Sequence, residues 1–126
     1  MASHKKPKKA FSATFLAFAK PAFDRMGLEP NTQEGETLLR TCWTIWNAVV
    51  FADLGGKPEY LERLQNPANL NPVTGVMVDW LIERKRTRFR AEHWVVGDCT
   101  LWQVRGEWRL RIEARAVPTP TEHSGH

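Results

Sequence analysis

Between Glu34 and Asp53 the chain carries Leu38, Leu39, Cys42, Trp43, Trp46, Val49, Val50 and Phe51 at helical spacing. Only Arg40, Thr41, Thr44 and Asn47 interrupt the stripe. A helix apolar around most of its circumference cannot rest on a surface, because it must be covered on several sides. This segment is therefore expected at the centre of a small bundle, with the rest of the chain as its walls. Asp53-Leu54-Gly55-Gly56 ends it.

The walls are legible in turn. Phe11, Phe15, Phe18 and Ala22 recur at helical spacing, with Ser12 as the expected cap and Gly27 as the stop. Pro21 lies inside this pattern, which predicts a kink or a fresh helix after Lys20. A short helix is expected over Pro58–Gln65, with Pro58 in its first turn. After the Asn66–Pro72 loop another helix is expected to begin near Pro72 or Val73, burying Val73, Val76, Met77, Trp80, Leu81 and Phe89.

Beyond Ala91 the period changes to two. Trp108, Leu110, Ile112, Ala114 and Ala116 alternate with Glu107, Arg109, Arg111, Glu113 and Arg115, the pattern of a half-exposed strand. Val104-Arg105-Gly106-Glu107 reads as a hairpin turn. Folding there sets Leu101 opposite Leu110, Cys99 opposite Ile112, Trp102 opposite Arg109 and Thr100 opposite Arg111. One long hairpin with a bulge near Gly97 is preferred over a three-stranded meander. The expected fold class is α+β: three to four helices followed by an antiparallel hairpin or short meander. The domain spans 10–117, flanked by a disordered basic arm over 1–9 and a disordered tail over 118–126.

Charge locates the functional surface. The formal net charge is +4, and Lys5, Lys6, Lys8 and Lys9 account for it. The remainder is polarised, with nine acidic and five basic residues in 10–83, then nine basic and four acidic in 84–115. Arg84, Lys85, Arg86, Arg88 and Arg90 crowd the end of the last helix. They suit the helix dipole and local ion pairs with Glu83 and Glu92. They also suit phosphate or carboxylate, which guanidinium groups grip in a planar fork. Arg109, Arg111 and Arg115 join Trp102 on the outer hairpin face. An Arg beside an exposed Trp serves as a platform for bases or for a protein partner.

These residues point to a small binding protein, not an enzyme, that contacts a polyanion, the nucleic-acid backbone first. The alternative is an adaptor or assembly subunit that meets an acidic protein surface. The basic residues sit at the C-terminal end of their helix, whereas helix-turn-helix proteins read bases from the N-terminal part, so backbone contact is expected instead. No triad spacing, phosphate loop or metal motif is present, and no cofactor is expected. The Arg40/Thr44/Asn47 stripe is expected to bond loop backbone and helix ends rather than to line a pocket. Cys42 and Cys99 lie in apolar segments and are expected as buried free thiols. No leader pattern or membrane span is visible, which gives a cytoplasmic protein as the expectation.

Overall fold

The computed structural model describes residues 8–66, 68 and 75–116. Four helices precede a two-stranded antiparallel hairpin, so the α+β expectation holds. The helices are α1 (Lys8–Met26), α2 (Gln33–Asp53), α3 (Glu59–Gln65) and α4 (Val78–Arg88); the strands are β1 (Trp94–Val104) and β2 (Glu107–Ala116). Residues 1–7 of the predicted arm and the whole predicted tail lie outside the described residues, whereas Lys8 and Lys9 already belong to α1.

Two expectations about α1 are corrected. Ser12 is not its cap, since the helix begins at Lys8. Pro21 does not start a new helix but sits within a continuous one. Proline has no N–H, so it leaves the carbonyl of Ala17, four residues back, without its helical donor. The Arg84 guanidinium replaces it: Nη2 donates to Ala17 O at 2.8 Å and Nε to Phe18 O at 3.1 Å. The helix closes as sequence predicts, on Gly27 at φ 66°. Gly27 N–H donates to Asp24 O at 3.3 Å and Leu28 N–H to Phe23 O at 3.0 Å, the paired bonds of a left-handed cap.

Helix α2 starts at Thr32, whose hydroxyl oxygen accepts from the Gly35 N–H at 2.9 Å. It occupies the centre, packing against α1, α3, α4 and β1. Trp46 is fully buried at its middle. The rings of Phe11, Phe15 and Phe18 meet it edge-on at centroid distances of 5.5, 5.5 and 5.0 Å, and Phe89 lies at 5.8 Å.

The start of α4 differs from expectation. A 3₁₀ turn, Gly75–Met77, leads into it at Val78. Val76, expected on the buried stripe, is exposed, because a turn of three residues rotates the side chains out of helical phase. Pro72 and Val73 lie outside the described residues.

The hairpin follows the predicted register. Leu101 faces Leu110, Cys99 faces Ile112, Trp102 faces Arg109 and Thr100 faces Arg111. Arg105 and Gly106 take φ of 53° and 79°, the two left-handed residues of a type I′ turn. The register shifts between Val96 and Asp98, so Gly97 is the extra residue of a bulge in β1. The inner face packs β1 on α2 and β2 on α1, with Trp108 edge-on to Phe23 at 5.3 Å.

Polar bonds also tie the hairpin to α2. Trp46 Nε1–H donates to Trp94 O at 2.7 Å. The Asn47 amide donates to Val96 O at 2.8 Å and accepts from Val96 N–H at 2.7 Å. Among the described residues, no helix is long and apolar enough to cross a membrane.

Candidate anion-binding surfaces

The five basic residues from Arg84 to Arg90 do not form one uniform patch. Arg84 is committed to the α1 carbonyls, and its guanidinium lies over the rings of Trp80 and Phe89 at 5.6 and 5.3 Å. Burial, and then the charge of Arg88, lower its pKa.

Lys85 is 2% exposed. Its ammonium donates to Phe89 O at 2.8 Å and to Glu92 O at 2.9 Å, closing the turn between α4 and β1, and lies 4.6 Å from the Trp46 ring centre. Burial pushes its pKa down to about 8, while Asp53 and Glu92 act the other way.

Arg86 grips Asp53 with both arms of its fork: Nε donates to Oδ2 at 3.1 Å and Nη2 to Oδ1 at 2.9 Å. That bond raises the Arg86 pKa and fastens the end of α2 to α4. The partner is thus a carboxylate remote in sequence, which a scan for neighbours such as Glu83 and Glu92 does not find.

Arg88 and Arg90 are exposed and hold no ion pair among the described residues. Arg90 stands on the wall of an open cleft of about 490 Å³, shared with Lys85, Arg86, Asp53, Leu54, Val49, Val50 and Ala52. Three basic side chains and one carboxylate therefore converge there. Sequence reasoning places Asp53 only beside the Arg40/Thr44/Asn47 stripe and at the helix stop, and gives no signal for Leu54 or the two valines on this cleft.

The outer hairpin face is a second surface. Glu107, Arg109, Arg111, Glu113 and Arg115 all point away from the helices on β2. Arg109 pairs with Glu107 at 2.9 Å and Arg115 with Glu113 at 3.1 Å. Both pairs are exposed, and such pairs contribute about 0–1 kcal/mol, so they leave the guanidinium groups available. Arg111 has no ion pair among the described residues. Trp102, 37% exposed, and Val104, 43% exposed, lie on the same face.

The polar stripe of α2 does not converge on one cavity. Arg40 lines a small cavity of about 170 Å³ beside Cys99, whereas Thr44 and Asn47 border a different one of about 210 Å³ beside Tyr60. Asn47 is engaged with the backbone of strand β1, not with the loop backbone or helix end expected of that stripe. Cys42 and Cys99 are free and buried. Burial raises both thiol pKa values, that of Cys99 to about 12. Among the described residues, no three His, Cys, Asp or Glu side chains gather as a metal site would need.

No family model matches this chain, and no curated protein or solved structure matches it.

Proposed function

We propose that the chain is a small cytoplasmic binding protein, without catalytic chemistry of its own, that contacts the phosphate backbone of a nucleic acid. The observation that carries this reading is the convergence of Lys85, Arg86 and Arg90 with a single carboxylate on one open cleft. Lys85 supplies a buried charge and Arg86 is held rigid by Asp53, so Arg90 is the side chain left to close on a phosphate oxygen. Arg88 extends the positive field from the same helix end. Clustered positive charge attracts any phosphodiester chain, and contacts of this type position a protein without reading sequence. On the hairpin, Trp102 beside Arg109 and Arg111 offers a stacking platform for an unpaired base.

Fluorescence anisotropy of labelled single- and double-stranded oligonucleotides, at two salt concentrations, tests this. Binding is expected to weaken steeply with salt. Arg88→Glu together with Arg90→Glu should weaken it at least about tenfold and reduce the salt slope by about two. A folded double variant that binds as the parent does would overturn the reading.

A second reading has its own observation. Trp102 and Val104 expose apolar surface among the hairpin arginines, the mixture found at protein hot spots. A salt-tolerant complex with an acidic protein, lost in Trp102→Ala, would favour an adaptor role.

A further inference from the structure

The free edge of β2 has no partner strand among the described residues, since the sheet contains only β1 and β2. Exposed edges are normally blunted by charged side chains, by proline, by inward-pointing charge, by a bulge or by cover from another segment, and of these β2 has only outward charges among the described residues. The bulge of this hairpin lies in β1, and β2 runs ten residues with neither a proline nor an inward charge. Its inward row is also incompletely covered. On β1 the inward Cys99 and Leu101 are buried, whereas on β2 the inward Trp108, Leu110 and Ile112 remain half-exposed. Among the described residues the sheet thus stops with apolar side chains at a rim that only outward charges guard.

The charges on β2 are close to a palindrome. Outward positions read Glu107, Arg109, Arg111, Glu113, Arg115. An antiparallel copy of the same strand, centred on Arg111, sets each Glu107 against the other chain's Arg115. It likewise sets each Arg109 against the other chain's Glu113. Moving the centre to Leu110 sets Glu107 against Glu113, and moving it to Ile112 sets Arg109 against Arg115; the Arg111-centred register makes the most opposite-charge pairs. Backbone geometry agrees with that register. A two-residue turn is closed by a hydrogen-bonded pair, here Val104 and Glu107, so the even-numbered residues of β2 aim their N–H and C=O groups at the free edge. The Arg111-centred register pairs Trp108 with Ala114 and Leu110 with Ile112, matching even with even. The charged residues then occupy the non-hydrogen-bonded sites, where facing side chains approach most closely.

We infer that β2 pairs antiparallel with β2 of a second copy of this chain about a two-fold axis at Arg111, joining two hairpins into one four-stranded sheet. The interface is isologous, as a closed dimer requires. It engages Arg109 and Arg115 of the outer hairpin face but leaves the Arg88 and Arg90 helix end untouched, so it stands whether or not that end binds nucleic acid. Its one unfavourable contact is Arg111 against its own copy.

Sedimentation velocity over a concentration series provides the test, using the full chain and four variants. The parent chain is expected to dimerise. Arg109→Glu and Glu113→Arg should each weaken the dimer about tenfold, because two symmetric attractions become repulsions. Combining them, which restores opposite charges across the axis, should recover most of the affinity. Arg111→Thr should tighten the dimer, a gain that misfolding cannot imitate. A monomeric parent, a dimer indifferent to the single reversals, or a double variant no better than either single would each overturn the assignment.

Discussion

Pro21 and Arg84 solve one problem together. The proline frees the carbonyl of Ala17, an exposed residue where water competes for the acceptor, so the bond from Arg84 contributes about 0.5–1.5 kcal/mol rather than the full penalty of a buried unsatisfied group. The guanidinium fork reaches two successive carbonyls, Ala17 and Phe18, which a lysine ammonium matches poorly. Arg84→Ala is therefore expected to cost about 1 kcal/mol in urea unfolding. In a Pro21→Ala background the helix regains its own donor, and the same change should cost about 1 kcal/mol less. A double-mutant cycle with no coupling would show that the two residues act separately. This pairing also explains why the arginine cluster misleads when read as sequence alone. Backbone carbonyls and the remote Asp53 leave no local signature, so Arg84 and Arg86 look as available as Arg88 and Arg90.

Among the elements, the hairpin was highly legible. Period-two alternation and the Arg-Gly turn set its register, and the glycine flanked by Val96 and Asp98 marked the bulge. The central helix was equally clear, because a stripe that wraps a helix leaves it one place to go. The beginning of α4 was not legible, since a 3₁₀ turn obeys a different period from the helix it feeds. Within the hairpin, Arg105 holds a left-handed conformation that asparagine and glycine adopt more readily. Arg105→Asn creates the preferred Asn-Gly turn and should stabilise the fold by about 0.5–1 kcal/mol, seen as a raised melting temperature. A lowered one would mean that the Arg105 side chain contributes more than its backbone strain costs.

For the whole molecule, stability at alkaline pH sets the buried thiols against the buried amine. Unfolded thiols release their protons near pH 8.5. Cys42 and Cys99 keep theirs in the fold, so above that pH the unfolded chain holds fewer protons and stability falls. Lys85 has the opposite sign. Its folded pKa is about 8. Unfolded lysine keeps its proton to about 10.4, so between these values the contribution of Lys85 rises with pH. Each group changes stability by up to about 1.4 kcal/mol per pH unit, and two thiols outweigh one amine above roughly pH 9. Urea unfolding across this range should show a net alkaline loss that Lys85→Met steepens and Cys42→Ala with Cys99→Ala flattens. Identical slopes in all three chains would contradict this balance. The burial of the thiols was legible from their apolar segments, whereas that of Lys85 was not, because it takes helix, turn and sheet together to bury it.

The bonds from Trp46 and Asn47 to β1 settle a question to which apolar packing is blind. Sliding a strand by one residue turns its apolar side chains to solvent, which hydrophobicity forbids. Sliding it by two keeps the same residues facing inward. Adjacent residues of one helix, Trp46 and Asn47, bond to Trp94 and Val96, two apart on the strand. Backbone groups recur every two residues along a strand, but the bulge at Gly97 breaks that recurrence just beyond Val96, so a slip that brings Asp98 to Asn47 does not restore the same paired groups. The polar spots on the central helix and the bulge together act as a ratchet tooth against sliding in that direction.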